Sequence, residues 1–269
     1  MPRSADRTRR VARTTWVALL WSAFAALSPL AGAHGSPAVS ISPGSERILE
    51  SMLAADTVDP DPLSARFLGT PYGAGTLIGS ATEPEQLVVD LERVDCFTYA
   101  DYVEALKRAH DRDGFLTGLA EVRYKDGIVS FANRRHFFTD WAAAAPPVAT
   151  DVTARLSGDA VRTTKNLNSK DSGGVYLPGL PVVPRTVTYI PSDRVTDDVV
   201  AGLRTGDYLG AYAGDGGLDV THVGIFVDTP DGPIFRNASS VSTDDAVVDT
   251  PLSAYLRTVP GIVVLRPLL

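Results

Sequence analysis

The sequence predicts an α+β fold, and three observations carry that expectation. Helical spacing of apolar residues dominates the first half of the chain beyond residue 45. Short apolar runs separated by turns dominate from residue 186 onward. The two kinds of segment do not alternate, as they would in a parallel βαβ sheet. The expected architecture is a group of helices packed on a mostly antiparallel sheet.

Taken in order, residues 1–33 read as an export signal. Arg3, Arg7, Arg9, Arg10 and Arg13 form a positive segment, residues 16–27 are apolar, and Ala31-Gly32-Ala33 offers a small-x-small cleavage site. The apolar stretch is short for a membrane span, and no later segment is long and apolar enough for one. The residues around Arg9-Arg10 fit twin-arginine export poorly, and no cysteine follows the apolar run as a lipoprotein anchor requires. The expectation is an exported protein, periplasmic or secreted, without stable membrane insertion once the signal is removed. The 236 residues after Ala33 carry 20 Lys+Arg and 31 Asp+Glu, a net charge of about −11. Such a balance argues against tracking the phosphates of nucleic acid. The length suits one well-buried domain.

Residues 34–44, rich in Ser, Pro and Gly, read as a flexible tether, and 45–269 as a single domain. Residues 48–55 and 63–68 have helical spacing. The run Gly69-Thr70-Pro71-Tyr72-Gly73-Ala74-Gly75-Thr76 is a glycine-rich turn; lacking a strand before and a helix after, it is no dinucleotide site. Asp95 is an N-cap for a helix with Cys96, Ala100, Val103 and Lys107 on one side. Phe115, Leu116, Leu119 and Val122 mark a second helix and belong to the core. Residues 148–176 are polar and weakly periodic, and read as an insertion. Strands are expected at 186–190, 207–213, 220–227, 233–236, 246–248 and 262–266, with turns at Gly214-Asp215-Gly216-Gly217 and Pro230-Asp231-Gly232.

Cys96 is the only cysteine. An exported protein meets oxidising conditions, where cysteines usually pair, so a lone one is either a buried bystander or a reactive thiol. On the first turn of a helix, the free N–H groups and the positive end of the macrodipole favour a thiolate. Nucleophilic use of that thiol requires a base and a group that orients the base.

Of four histidines, His34 falls at the cleavage junction, and His110 is expected to cap the end of the cysteine helix. His136 lies in the aromatic run Arg134–Trp141 and reads as stacked among rings or shaping a pocket wall. His222 sits in a strand whose alternation places Val220, His222 and Gly224 on one face. A His and a Gly together there point to close approach of something other than core packing, with a satisfied core histidine as the equal alternative. Asn237, on the next strand beyond the Pro230-Asp231-Gly232 turn, is placed to accept the imidazole N–H; turn capping and, in a eukaryotic source, N-glycosylation are the competing readings. No metal-ligand spacing, P-loop or G-x-S-x-G is present, and Asp207, Asp215 and Asp219 read as turn and strand-edge residues.

In this order the motifs resemble the N-acetylmuramoyl-L-alanine amidase-like family, within the NlpC-type superfamily of papain-like cysteine amidases and peptidases. The resemblance is carried by Phe67-Leu68-Gly69-Thr70-Pro71-Tyr72, Glu85-Gln86-Leu87-Val88-Val89, Val94-Asp95-Cys96-Phe97-Thr98-Tyr99, Arg123-Tyr124, Gly127 and Arg134 to Trp141. Further on it takes in Gly206-Asp207, Gly217-Leu218-Asp219-Val220-Thr221-His222-Val223-Gly224, Ala238-Ser239-Ser240 and Gly261-Ile262-Val263-Val264-Leu265-Arg266-Pro267. It implies a papain-like fold with Cys96 as nucleophile and His222 as base. It also implies substrate binding by Tyr72, with His136 and Asp140 on the sugar side of a cleft, and Asp95 and Thr221 as further candidates for binding. Asn237 stands where the superfamily commonly has a histidine. The 126 residues between Cys96 and His222 exceed the spacing in compact members, so the 148–176 region is expected to narrow the cleft. The implied reaction is hydrolysis of the amide between (anhydro-)N-acetylmuramic acid and L-alanine in peptidoglycan or its fragments, with no cofactor. The rival readings are a γ-D-glutamyl–diamino acid endopeptidase and a catalytically silent wall-binding module.

Overall fold

The computed structural model describes residues 38–55, 57–241 and 243–268. The expected export signal and His34 lie outside the described residues. The first described segment is not the expected tether. Val39–Ile41 form strand β1, which pairs in parallel with β2, Leu87–Val89. Helix α1, Pro43–Leu53, follows at once. The composition misleads because Ser42 and Pro43 are a helix start: the Ser42 side chain accepts the Ser45 N–H at 2.9 Å, and proline suits the first turn.

Helix α2 spans Pro60–Ala65 and α3 spans Cys96–Leu106. Asp95 caps α3 as expected, its side chain accepting from Phe97 N at 3.1 Å and Thr98 N at 2.7 Å. Thr98 Oγ1 accepts the Asp95 N–H in return and completes a reciprocal cap. Instead of one apolar stripe, α3 buries every residue from Thr98 to Leu106. It ends at Leu106, so His110 lies beyond it, exposed, and does not cap it. Helix α4, Arg112–Arg123, packs against α3 with Phe115, Leu119 and Val122 inward.

The second half is an antiparallel sheet of eight strands in the order β4-β5-β10-β6-β7-β8-β9, with β3 also on β10. After the short helix α5, Asp140–Ala143, come β3 (Ala149–Asp151), α6 (Thr153–Leu156), β4 (Val161–Leu167) and β5 (Val183–Pro191). Helix α7 (Asp197–Gly202) precedes β6 (Tyr208–Tyr212), β7 (Val220–Val227), β8 (Ile234–Ala238) and β9 (Val247–Pro251). Helix α8 (Leu252–Leu256) and β10 (Gly261–Pro267) end the domain. The polar 148–176 region is therefore part of the sheet. Its composition resembles an insertion because β4 is an edge strand, half solvated, and lacks a strong apolar alternation.

That region braces the sheet rather than hanging from it. Lys165 Nζ, almost wholly buried, donates to Ala213 O at 2.5 Å and Asp215 O at 2.7 Å and lies over the Tyr212 ring. Gly217 has to be glycine, because a Cβ there would stand 1.8 Å from Ser169 O. From the other side, Asp219 accepts the Thr139 N–H at 2.7 Å, and Arg185 of β5 binds Thr139 Oγ1 and Asp140 Oδ1. Both clamps act on the entry to β7.

One face of the sheet holds α3, and a buried charge cluster joins the two. Glu104, 0% exposed, accepts Lys107 Nζ at 2.8 Å, Arg108 Nη2 at 2.7 Å and the Tyr208 hydroxyl at 3.0 Å. Asp101 pairs with Arg123 at 2.7 Å, and Arg123 also donates to Val88 O. Removing one partner of such a group leaves its buried counter-charge unpaired. Glu104→Ala is expected to lower stability by about 3–5 kcal/mol in denaturant unfolding, far more than an exposed Glu→Ala. A loss below about 1 kcal/mol would show that Lys107 and Arg108 find water instead.

Candidate active site

The site forms where the N-terminus of α3 meets β7 and β8. Cys96, the first residue of α3, is partly exposed, and its sulfur faces the backbone N–H of Val223, the residue after His222. The packing of α3 on β7 sets this contact between the sulfur and the Val223 backbone. Asp95 is close enough for its charge to act on both Cys96 and His222.

His222 owes its direction to an irregularity that strict alternation misses. Ala211 pairs with His222 but Tyr212 with Val220, so β7 carries one extra residue there. Val220 thus joins Val223 and Ile225 on the α3 face, while His222 and Thr221 line a cleft of about 490 Å³. The expected grouping of Val220 with His222 fails for this reason. The expected reason for Gly224 also fails: its missing side chain makes room for core packing, since a Cβ would stand 2.5 Å from the Phe235 ring. That ring meets His222 edge-on at 6.0 Å and holds the imidazole from below.

Asn237 is 4% exposed, and His222 Nε2 lies 2.9 Å from its Oδ1. The Asn237 amide nitrogen has its own acceptors, Phe235 O at 3.3 Å and Thr250 Oγ1 at 3.5 Å, so its oxygen faces the ring. Nε2 is therefore the N–H nitrogen and Nδ1 the basic one. Asn237 stands opposite Gly224 by continuation of the β7–β8 register and reaches His222 diagonally.

The remaining candidates divide. Tyr72 stands beside Cys96, Asp95 and Ser240, its phenol pushed up by burial and by those two acidic neighbours. Thr221 is exposed on the cleft wall. His136 and Asp140 are not among the residues that line the His222 cleft, and neither are Cys96, Asp95 and Tyr72. His136 Nε2 lies 2.7 Å from Phe131 O and its ring is edge-on to Phe131, while Asp140 pairs with Arg185 at 2.9 Å. Residues 148–176 are held against the Gly214–Gly217 turn that leads into β7, through Lys165 and Ser169. Besides Ser239, from the Ala238-Ser239-Ser240 motif, the wall includes Asp244, Tyr255 and Thr258, which sequence reading missed. Nothing in the chain order marks them; α8, which carries Tyr255, has only five residues. Among the described residues no group of His, Cys, Asp and Glu is placed to hold a metal ion.

The electrostatics reverse one expectation. Helix N–H groups do favour a Cys96 thiolate, but burial, and after it the Asp95 carboxylate, push the thiol up to about 12. Burial also lowers the His222 pKa from 6.5, against smaller opposing effects of Asn237 and Asp95. Burial thus favours the neutral form of both the Cys96 thiol and the His222 imidazole.

Alkylation of Cys96 by iodoacetamide is therefore expected to be slow at pH 7.5 and to rise about tenfold per pH unit as the thiolate fraction grows. Asp95→Asn, which keeps a good capping side chain, should accelerate it. Mass spectrometry of the labelled protein follows both. Fast labelling of the unmutated protein at neutral pH would instead mean a pre-formed thiolate–imidazolium pair.

Comparison with known proteins places this architecture. None of the curated proteins matches the chain. Among solved structures, an N-acetylmuramoyl-L-alanine amidase from Bacteroides uniformis is 27% identical, with a TM-score of 0.65, over 78% of this chain and 99% of that one. A protein from Legionella pneumophila, 22% identical, shares the fold with a TM-score of 0.68 over 84% of this chain and 95% of that one. The family model described as AmiA-like, N-acetylmuramoyl-L-alanine amidase-like, matches residues 62–262, a span that takes in α3, β7 and β8 and ends within β10. The chain belongs to the N-acetylmuramoyl-L-alanine amidase-like family.

Proposed function

We propose that this protein is a cysteine amidohydrolase that cleaves the amide between (anhydro-)N-acetylmuramic acid and L-alanine in peptidoglycan or its fragments. The observation that carries the reading is the His222–Asn237 pair at 2.9 Å, on a strand against which the N-terminus of α3 sets the one cysteine of the chain. Family membership and the Bacteroides uniformis amidase support the choice of bond. The composition of residues 1–33 supports an exported protein acting in the periplasm or outside the cell.

In this mechanism the neutral resting pair works by general-base catalysis. As the Cys96 sulfur adds to the amide carbonyl carbon, its proton passes to His222 Nδ1 and the carbonyl π pair moves to oxygen. Asn237 Oδ1 and the Asp95 carboxylate stabilise the imidazolium formed. The C–N bond then breaks, and His222 returns the proton to the departing L-alanine nitrogen. Water, deprotonated by His222, attacks the thioester and releases the acid and the thiol. Tyr72, near Cys96, and Thr221, on the cleft wall, bind the substrate. No step requires a metal or an organic cofactor.

Mass spectrometry of an anhydro-disaccharide tetrapeptide, incubated with the mature protein and with Cys96→Ser, tests the reading. Free disaccharide and free tetrapeptide from the unmutated protein alone are expected. A cut within the stem would make it an endopeptidase, and no product from any muropeptide would leave a wall-binding module. Asn237→Ala should lower kcat at least about tenfold by releasing the ring, with a smaller effect on KM. Because burial lowers the His222 pKa, its neutral, base-competent form prevails at neutral pH. Activity should hold at pH 7 and fall only as pH drops through a value below 6.5. An acid limb centred above 6.5 would contradict this.

A further inference from the structure

The buried polar groups around the cleft are mostly committed to one another. Arg236, beside Asn237, binds Asp249, Asp61 and the Ser64 hydroxyl, and Ser239 donates to Asp244 at 3.2 Å. Tyr255 is the exception. Among the described residues, the buried side-chain atoms without a hydrogen-bond partner are Thr76 Oγ1, Arg123 Nη2, Arg135 Nε, Trp141 Nε1 and Tyr255 Oη. Of these, only Tyr255 belongs to a residue lining the cleft that contains His222.

Its position is set by packing. The Tyr255 ring stacks on Phe235 with centroids 4.0 Å apart at 23°, and Phe235 occupies the space left by Gly224. The same ring lies 6.4 Å from the His222 ring. One aromatic pair thus supports the imidazole and a phenol together. Burial, and after it the nearness of Cys96, hold the phenol in its neutral, donating form. A hydroxyl buried without a partner costs stability, and its persistence needs a compensating role.

We propose that Tyr255 is a further catalytic residue, whose O–H donates to the oxyanion formed when the Cys96 sulfur adds to a carbonyl carbon. The proposal rests on the reading of Cys96 as nucleophile. In the step, the C–S bond forms, the thiol proton goes to His222 Nδ1 and the π pair goes to oxygen. Tyr255 keeps its proton and gains the acceptor it lacks at rest. An interaction absent from the ground state and made with the developing charge lowers the barrier without tightening substrate binding.

The test compares Tyr255→Phe with the unmutated protein, because phenylalanine keeps the stack and removes only the hydroxyl. Two reagents report on the same sulfur. Acylation by p-nitrophenyl acetate passes through a tetrahedral oxyanion, and alkylation by iodoacetamide is a displacement that forms none. Cys96→Ser supplies the background for both. The expected result is a roughly 10–100-fold slower Cys96-dependent acylation, an alkylation rate changed by less than about twofold, and a Tm unchanged or raised. On the anhydro-disaccharide tetrapeptide, kcat should fall by a similar factor with little change in KM. Acylation within about twofold of the unmutated protein would overturn the proposal. So would an equal fall in acylation and alkylation, which would make Tyr255 a residue that positions the thiol. Cleavage of no muropeptide removes the amidase reading, yet the ratio of acylation to alkylation still decides the role of Tyr255. Unmutated protein acylated no faster than Cys96→Ser removes the nucleophile and this proposal with it.

Discussion

The site depends on the docking of α3 against the sheet, and that docking is organised by a carboxylate with no access to water. Glu104 draws Lys107, Arg108 and the Tyr208 hydroxyl to one point between helix and sheet. Apolar burial alone would hold α3 in the core but would tolerate sliding along its axis. Lys107 and Arg108, one turn along the same chain, neutralise the charge, so the Tyr208 hydroxyl at 3.0 Å is the contact that ties the helix to β6, and a shift of a few ångströms would break that charge-assisted bond in a dry setting. The first residue of that helix is Cys96, so the same contacts set where the sulfur meets β7.

A second set of constraints aims His222. The entry to β7 is held on one side by Lys165 and on the other by Asp219, and the extra residue in β7 rotates His222 toward the cleft. Arg236, tied to Asp61 of α2 and Asp249 of β9, steadies the strand that presents Asn237. The phenylalanine filling the space beside Gly224 supports His222 and Tyr255 at once. Position is thus supplied by polar contacts around the rim and orientation by aromatic packing beneath it.

Burial governs the chemistry as much as geometry does. The capped first turn of α3 favours a thiolate, but the capping group is itself a carboxylate beside the sulfur in a poorly hydrated site. Desolvation and that charge outweigh the helix N–H groups, and burial favours the neutral forms of thiol and imidazole.

The sequence by itself determined the fold class, most element positions, and the histidine and asparagine that pair. Helical and strand periodicities, the Asp95 cap and the short β7–β8 connection are local, so they are legible in residue order. Residues 38–44 and β4 escaped because a capped helix start and an edge strand share the composition of loops. Only the tertiary structure decided which way His222 points, why residue 224 is glycine, that burial pushes the Cys96 thiol up, and that Tyr255 lines the His222 cleft. Each of these depends on what packs against the residue from a distant part of the chain, and desolvation and register are properties of that packing alone.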